Sequence, residues 1–501
     1  MAHALEKIYP FVPVALQNLG ISLFGLAWKR ERLGGNFSQY VEAFRQRDRW
    51  SPEQMQEYVN HELRRVLCDA FDDVPYYQRT WKQAGLTRMD LAQMSVEDLP
   101  KIPVTPKQDL RDGPTAFVAK NLARRGKLNR YFSSGSTGTP ITSICSNDDH
   151  RRFIAAREVR SFGWAGTSVH APRSMIGGRM VVPKSDSRPP FHRYNFAEQQ
   201  VYFSAYHISP THVRDYVNGF NQHRPRLLTG YANSYFHLAR MMNEQGIALD
   251  YEPDAVVLCS EKLTSQMKDE IQQAFRARSF EEYGAVENCV IATECEHGSL
   301  HVSPDFGVLE IVDENNQPVP PGVEGKILCT GLLNEAQPLI RYEIGDVGIW
   351  SAETCHCGRD HLPVLQEIVG RLEDVVVGLD GRELVRFHGI FIDLPGVLEG
   401  QVIQESLDQF TVKIVARENL AIQSEKLIQE RFAERLGAVN VKIERVTEIP
   451  RTERGKFRAV ISKVGHGRTR HSVGAGFKTG KSAHLSTTTA HGVTRPTIRL
   501  Q

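Results

Sequence analysis

Short apolar runs alternate with glycine-containing turns and with segments of helical periodicity between about residues 130 and 370. The runs "AVVLCS" (255–260), "VLEIVD" (308–313) and "KILCTG" (326–331) have the length and composition of buried strands. Strands that alternate with helices form layered α/β architectures. The alternation therefore predicts an α/β fold, with β-sheets and flanking helices, for a large N-terminal domain.

The character of the sequence changes after "GRLED" (370–374). The segment that follows predicts a hairpin with an Asp-Gly turn at Asp380–Gly381. Further on, "FTVKIVA" (410–416) and "VKIERV" (441–446) predict strands around a helix at "SEKLIQERFAERL" (424–436). This pattern predicts a second, small α+β domain.

These patterns divide the chain into residues 1–370, 371–465 and 466–501. The last segment has six Lys and Arg, no Asp or Glu, and many Ser, Thr and Gly. Such a composition cannot bury enough apolar surface to fold, so it predicts a disordered basic tail. A contact between this tail and an acidic partner is the alternative.

The overall charge is nearly balanced. The 501 residues include 61 Lys+Arg and 59 Asp+Glu, which leaves a net charge of +2. This balance gives no electrostatic reason to expect nucleic acid or an anionic membrane as the main partner. Eight cysteines in such a long chain are too sparse for a disulfide scaffold, which favours the cytoplasm.

One segment near the N-terminus, "FVPVALQNLGISLFGLAW" (11–28), is apolar enough to consider as a membrane segment. It contains Pro13, Gln17 and Asn18 and has no basic leader or clear cleavage site. It predicts a buried or interfacial helix, with no stable membrane insertion. A membrane anchor or signal is the alternative interpretation.

The stretch "YFSSGSTGTP" (131–140) consists mostly of glycines and small hydroxyl residues. Backbone N–H groups and hydroxyls in a loop after a strand can all point at anionic phosphate oxygens. A P-loop is excluded because Gly138 is followed by Thr-Pro rather than by Lys-Ser or Lys-Thr. The stretch predicts a phosphate-binding loop, with a plain polar turn as the alternative.

Further motifs follow this loop in a characteristic order. Together with it they resemble the adenylate-forming superfamily of acyl-CoA synthetases and adenylation domains. Two other segments resemble the phenylacetate–CoA ligase-like family, in particular its members labelled capsular polysaccharide biosynthesis proteins. The resemblance covers about residues 10–465. The motifs are "EEYGAVE" (281–287), "RYEIGD" (341–346), "GRLED" (370–374) and "PRTERGKFR" (450–458), and the two segments are "PPFHRYNFAEQQVYFSAYHIS" (189–209) and "LLTGYANSYFHLA" (227–239).

The resemblance implies an AMP-forming acid–thiol ligase. Such an enzyme joins a small carboxylic acid to AMP, releases pyrophosphate and passes the acyl group to coenzyme A. It uses ATP and Mg²⁺, and its C-terminal domain acts as a mobile lid on an N-terminal domain that binds ATP and the carboxylate. Two alternatives stay open: an adenylyltransferase or a loader of a carrier-protein thiol, and a non-catalytic homologue in a polysaccharide or secondary-metabolite pathway. No oligomeric state is predicted.

The resemblance also implies roles for individual residues. Tyr283 and Gly284 lie beside the adenine, and Glu287 binds Mg²⁺. Asp346 accepts hydrogen bonds from the ribose hydroxyls, with Arg371 beside it. The loop that holds the β- and γ-phosphates consists of Ser133, Ser134, Gly135, Ser136, Thr137 and Gly138.

Lys456 matches the catalytic lysine of the C-terminal motif, where a cation bridges the carboxylate and the α-phosphate. The chain departs from the family pattern at two points. Ile141 stands just after the proline of the phosphate loop, where the family often has Lys. The hinge acid falls at Glu373 or Asp374, because Glu373 stands where the family usually has Asp.

Two cysteine- and histidine-containing segments, "ECEHGSLH" (294–301) and "CHCGRDH" (355–361), predict a structural zinc site, since such clusters in a reducing compartment more often bind metal than form disulfides. Some relatives carry a zinc site made of such residues. A metal-free pair of turns is the alternative. The remaining cysteines, Cys68, Cys145, Cys259, Cys289 and Cys329, are predicted to lie in the core. The predicted ligands are Cys295, His301, Cys355 and Cys357, with His297 and His356 as competitors.

Overall fold

The structure is a computed structural model. It describes residues 12–125, 127–133, 141–183, 188–371, 376–379, 383–384, 390–391, 394, 396–416, 422–450 and 457–464. Residues 1–464 group into one compact unit. The boundary near residue 370 remains a prediction, and the predicted tail lies outside the described residues.

Helices dominate the N-terminal part of the chain. The helical periodicity of residues 51–72, with Ser51 as a candidate N-cap and Pro52 at the first position, predicts a helix. The structure confirms it as α3 (Pro52–Asp73): Ser51 Oγ accepts from the backbone N–H of Gln54, and Pro52 occupies the first helical position. The described helices are α1 (Val14–Leu33), α2 (Phe37–Arg47), α3 (Pro52–Asp73), α4 (Pro75–Gln83), α5 (Arg88–Leu91), α6 (Lys107–Asp112), α7 (Lys120–Arg125), α8 (Asn147–Arg157), α9 (Val213–His223), α10 (Ala232–Gln245), α11 (Ser265–Phe275) and α12 (Ile422–Leu436), with 3-10 turns at Val96–Lys101 and Pro114–Phe117 and a π turn at Glu158–Phe162.

The strands confirm the predicted α/β class. They are β1 (Asn129–Phe132), β2 (Thr142–Cys145), β3 (Arg173–Gly177), β4 (His192–Asn195), β5 (Gln200–Ser204), β6 (Leu227–Tyr231), β7 (Ala255–Cys259), β8 (Ser279–Gly284), β9 (Ile291–Glu294), β10 (Leu300–Val302), β11 (Gly307–Val312), β12 (Glu324–Gly331), β13 (Tyr342–Trp350), β14 (Val364–Arg371), β15 (Val376–Val377), β16 (Glu383–Leu384), β17 (Val397–Gln404), β18 (Gln409–Ala416), β19 (Asn440–Arg445) and β20 (Val460–Ser462).

One large sheet organises the N-terminal part. Its strand order is β11-β12-β13-β14-β10-β9-β8-β7-β6-β3-β5-β4. The strands β5, β3, β6, β7 and β8 run parallel, and the flanking strands pair antiparallel. The side chains of β6 and β7 are almost all buried, as expected for parallel strands covered on both faces.

A buried ion network ties the N-terminal helices to this sheet. Asp305, which precedes β11, is fully buried. Its Oδ2 accepts from Arg47 Nε at 2.6 Å and from Arg160 Nη2 at 3.1 Å, and Arg160 Nε donates to Asp48 at 2.8 Å. Because each buried charge has an opposite partner, the network holds α2 and the π turn against the sheet.

The C-terminal part forms its own small sheet, β19-β18-β17-β20, with β15 paired to β16. The helix α12 packs on it through Ile428 and Phe432, which are fully buried in a separate hydrophobic cluster. The predicted α+β unit is therefore confirmed. The turn residues Asp380 and Gly381 lie outside the described residues.

Candidate active site

The glycine–hydroxyl stretch begins where β1 ends. The strands β1 and β2 pair antiparallel with Phe132 opposite Thr142. Ser133 and Ile141 form the next pair. Ser133 N–H donates to the Ile141 carbonyl at 3.0 Å, and Ile141 N–H donates to Ser133 Oγ at 2.9 Å. The structure thus places a strand directly before the stretch. Ser134, Gly135, Ser136, Thr137 and Gly138 lie outside the described residues.

Tyr283 and Asp346 come from different motifs and meet in the fold. Tyr283 and Gly284 are the last residues of β8, and Asp346 lies in β13. The Tyr283 hydroxyl donates to Asp346 Oδ2 at 2.8 Å. Burial, followed by the charge of Asp346, raises the pKa of Tyr283 well above its ordinary value, so the phenol remains a hydrogen-bond donor.

Asp346 is also paired by strand register to another predicted site residue. In the antiparallel pair of β13 and β14, Asp346 stands directly opposite Arg371. Gly345, just before Asp346, has a φ of +85°, and a Cβ there would lie 3.1 Å from Lys107 Nζ. Since Lys107 Nζ donates to the Ile344 carbonyl at 2.7 Å, glycine permits a close approach that anchors β13 next to Asp346.

Glu287 is buried in the turn that follows β8. Its Oε1 accepts from the hydroxyl of Tyr342, the first residue of β13, at 3.1 Å. Burial raises the pKa of Tyr342 far above its ordinary value, with the charge of Glu287 as the next cause. Two hydrogen bonds between "EEYGAVE" and "RYEIGD" therefore hold Glu287 and Asp346 at a fixed spacing.

Arg341 of "RYEIGD" has a structural role. Its guanidinium is buried, pairs with Glu310 at 3.0 Å and donates to the Ile102 carbonyl at 2.8 Å. Because these buried contacts hold its guanidinium, Arg341 positions the start of β13.

Glu261 links two distant segments, and the sequence analysis did not single it out. Its Oε2 accepts from the backbone N–H of Asn233, in the first turn of α10, at 3.0 Å. Its Oε1 accepts from the backbone N–H of Phe457 at 3.1 Å. Phe457 directly follows Lys456, which, like Gly455, lies outside the described residues. Glu261 therefore attaches the segment next to Lys456 to the large sheet.

A second contact joins the same two parts of the chain. His237 of α10 forms an ion pair with Glu399 of β17, and both side chains are largely buried. No short motif signals this pair or Glu261, because the partners are far apart in sequence.

The four predicted zinc ligands converge. Their ligand atoms all lie within 4.8 Å of one another. Cys295 Sγ is 3.6 Å from Cys355 Sγ, and Cys357 Sγ is 3.3 Å from His301 Nε2. The competitors His297 and His356 are exposed and are not among the four converging residues.

This donor set fits a tetrahedral metal. Zinc–sulfur bonds of about 2.3 Å place tetrahedral sulfur ligands about 3.8 Å apart, close to the observed Sγ–Sγ distance. His301 Nδ1 donates to the Leu362 carbonyl at 3.0 Å, which orients Nε2 toward the thiols. The four residues could therefore hold Zn²⁺ with no position left open for water.

The prediction for the other cysteines is correct except at one position. Cys68, Cys145, Cys289 and Cys329 are buried, and Cys259 is only half-buried. Cys259 is the last residue of β7, where the strand leaves the sheet, so its side chain is not fully covered.

Comparison with known proteins assigns this fold. A 2-hydroxyisobutyryl-CoA ligase in its postadenylation state superposes with a TM-score of 0.62 at 21% identity, over 81% of this chain and 89% of that one. The same enzyme in the thioesterification state gives 0.51 at 21% identity, over 82% and 90%. The fold is that of the adenylate-forming CoA ligases.

Within that class, residues 382–463 match the family model of the CapK C-terminal domain. Protein CapK of Staphylococcus aureus is 26% identical over 481 residues, which cover 92% of this chain and all of the relative. A phenylacetate–coenzyme A ligase of Thermus thermophilus is 24% identical over 460 residues, 82% of this chain and 96% of the relative. The chain is a homologue of the proteins named CapK and phenylacetate–CoA ligase, which confirms the resemblance drawn from its motifs.

Proposed function

We propose that this protein is an ATP-dependent carboxylate–CoA ligase. In the first half-reaction a carboxylate oxygen of the acid attacks the α-phosphorus of ATP, which gives an acyl-adenylate and pyrophosphate. In the second, the thiol of coenzyme A attacks the acyl carbon, loses its proton and expels AMP. The homology to CoA ligases supports this class of reaction.

The pair of hydrogen bonds that joins β8 and the turn after it to β13 is the observation that carries the proposal. Tyr283 holds one oxygen of Asp346, and Tyr342 holds one oxygen of Glu287. Two carboxylates fixed on neighbouring segments suit two tasks, because one can accept ribose hydroxyls and the other can bind a hard cation.

The remaining roles follow the predicted residues. Tyr283 and Gly284 lie beside the adenine, Arg371 lies next to the ribose, and the loop from Ser133 to Gly138 binds the phosphates. Mg²⁺ bound by Glu287 would neutralise charge on the phosphates. Lys456 would stabilise the charge that develops at the α-phosphate.

We also propose a structural zinc ion at Cys295, His301, Cys355 and Cys357. The convergence of their ligand atoms supports it. Four protein ligands exclude a catalytic water, so zinc would act by stabilising the turns at β9–β10 and before β14. The enzyme would work in the cytoplasm, where thiols remain reduced.

The test is pyrophosphate exchange over a panel of carboxylic acids, followed by thioester assays with coenzyme A. Exchange with one class of acid and thioester formation with coenzyme A support the ligase. Exchange without a coenzyme A thioester favours an adenylyltransferase or a carrier-protein loader. Absence of nucleotide binding favours a non-catalytic homologue.

Lys456→Ala separates the half-reactions. We expect acyl-adenylate formation to fall by roughly a hundredfold or more, because the cation acts on charge that develops in the transition state. Chemically supplied acyl-adenylate should still react with coenzyme A at near the wild-type rate. An equal loss of rate in both half-reactions would instead mean that Lys456 stays at the site in one fixed position during both of them.

A further inference from the structure

Exposed apolar side chains are concentrated on one surface of the protein. Of the twelve large hydrophobic side chains that are exposed among the described residues, seven lie on α1 or next to it. Five of them form what we call the outer face of α1: Leu16, Leu19, Leu23, Phe24 and Leu26, each more than half exposed. The other two are Met180 and Phe196.

The helix turns its polar side toward the protein. Asn18 Oδ1 accepts from the backbone N–H of Tyr194 at 3.0 Å, and Ser22 Oγ accepts from the backbone N–H of Phe196 at 2.9 Å. Gly25 lies against Asn195, and a Cβ there would come within 2.3 Å of its Oδ1. The polar stripe of α1 therefore covers the edge strand β4, and the leucines are left outside as a consequence.

The spacing of the leucines places them on one side. Leu16, Leu19, Leu23 and Leu26 follow one another at intervals of three, four and three residues, which align along a helix. Phe24 extends this stripe on one flank, and Phe196 continues it onto the adjoining chain. The apolar surface is thus wider than the narrow seam of a two-stranded coiled coil.

Basic side chains border the outer face at its C-terminal end. Lys29 and Arg30 are exposed, and the guanidinium groups of Arg32 and Arg179 lie 4.9 and 4.8 Å from the centre of the Trp28 ring. The only acidic residue of α1 is Glu31. A second copy of α1 would therefore offer this border few carboxylates, whereas anionic lipid headgroups would complement it.

We propose that the outer face of α1 docks on the surface of an anionic phospholipid bilayer. The helix lies in the plane of the interface, with its leucines and Phe24 among the acyl chains and its basic end among the headgroups. None of the described helices is long and apolar enough to cross a membrane, so the contact is with one leaflet. The nearly balanced net charge of the whole chain gives no sign of this local apolar and basic surface.

The proposal is tested by sedimentation of the full chain with vesicles of phosphatidylcholine alone and of phosphatidylcholine mixed with phosphatidylglycerol. We expect binding to the mixed vesicles. The double variant Leu19→Asn/Leu23→Asn should bind them at least about tenfold more weakly, because two apolar anchors are lost. Arg30→Glu should weaken binding to the mixed vesicles and should itself fold, since its side chain is exposed.

A matched control replaces exposed apolar residues elsewhere: Met89→Asn/Leu407→Asn should bind as the wild type does. Because all variants keep residues 465–501, a loss in the leucine variant cannot be due to the basic tail. Equal binding of the two double variants, or no binding by the wild type, overturns the proposal. A dimer in sedimentation velocity that the leucine variant dissociates, without vesicle binding, would identify a second copy as the occupant and also overturn it.

Discussion

Glu261 Oε1 accepts a hydrogen bond from the backbone N–H of Phe457 across 196 positions of sequence. The other oxygen of the same carboxylate accepts from Asn233 N–H at the start of α10. One side chain thereby joins the large sheet's helical layer to the segment that follows Lys456. Because Lys456 is proposed to act in adenylate formation, we expect this contact to matter for that half-reaction.

Glu261→Gln should therefore slow adenylate formation more than thioester formation. An amide keeps one acceptor and loses the other, and a hydrogen bond to a charged group contributes about 1.5–3 kcal/mol. We expect pyrophosphate exchange to fall by roughly ten- to a hundredfold. Stopped-flow measurement of the reaction between coenzyme A and supplied acyl-adenylate should give a rate close to that of the wild type.

Asp269→Asn, an exposed acid-to-amide change on α11, is the matched control and should leave both rates unchanged. If Glu261→Gln slowed both half-reactions to the same extent, the Glu261 carboxylate would contribute to both of them, and the expectation that it acts mainly in adenylate formation would be wrong.

Glu287→Gln should raise the Mg²⁺ concentration needed for half-maximal exchange and lower the maximal rate by roughly a hundredfold. The amide oxygen can still accept the Tyr342 hydroxyl, so folding should be unaffected. Titration of exchange activity with MgCl₂ measures the change. Glu343→Gln, the same substitution next to Tyr342 in β13, should behave as wild type. A similar shift of the Mg²⁺ requirement in that variant would mean that the loss of any negative charge nearby has this effect.

One zinc per chain is expected by elemental analysis of protein purified without chelators. Cys357→Ser should lose the metal and lower the melting temperature, because a ligand is removed from a closed site. His356→Ala, one residue away and exposed, should keep one zinc. A zinc content near zero in the wild type would mean that the four residues are only turn residues.

Asp305→Asn should lower the free energy of unfolding at pH 7 by about 3–5 kcal/mol, because the buried guanidinium groups of Arg47 and Arg160 would lose the carboxylate that they share. Burial alone would raise the pKa of Asp305, but the charges of Arg160 and Arg47 outweigh it and hold the pKa below its ordinary value. Such a group stabilises the fold above its unfolded-state pKa of about 3.9, and that contribution is lost as pH falls through the lower folded-state pKa. Urea unfolding should thus show the difference from wild type shrinking below about pH 4. A difference independent of pH would exclude the ionised carboxylate as its source.

Local signals predicted the elements well. The Ser51 cap and the Pro52 start of α3, the apolar runs of β7, β11 and β12, and the helix α12 depend on neighbours in sequence, so periodicity and capping residues are sufficient. The strand before the stretch "YFSSGSTGTP" was indicated for the same reason. The four zinc-ligand candidates were also indicated by residue type and short spacing, although four side chains had to be chosen from six.

The amino-acid sequence by itself determined the class of fold and the motifs of the candidate site. Only the tertiary structure decided which groups meet: Tyr283 with Asp346, Tyr342 with Glu287, and Glu261 with the backbone N–H of Phe457. It also decided that α1 presents its leucines outward, because the free edge of β4 requires polar partners and α1 supplies them from its other side. Hydrophobic periodicity reports that a helix has two faces, whereas which face is covered depends on the hydrogen-bonding needs of a strand far along the chain.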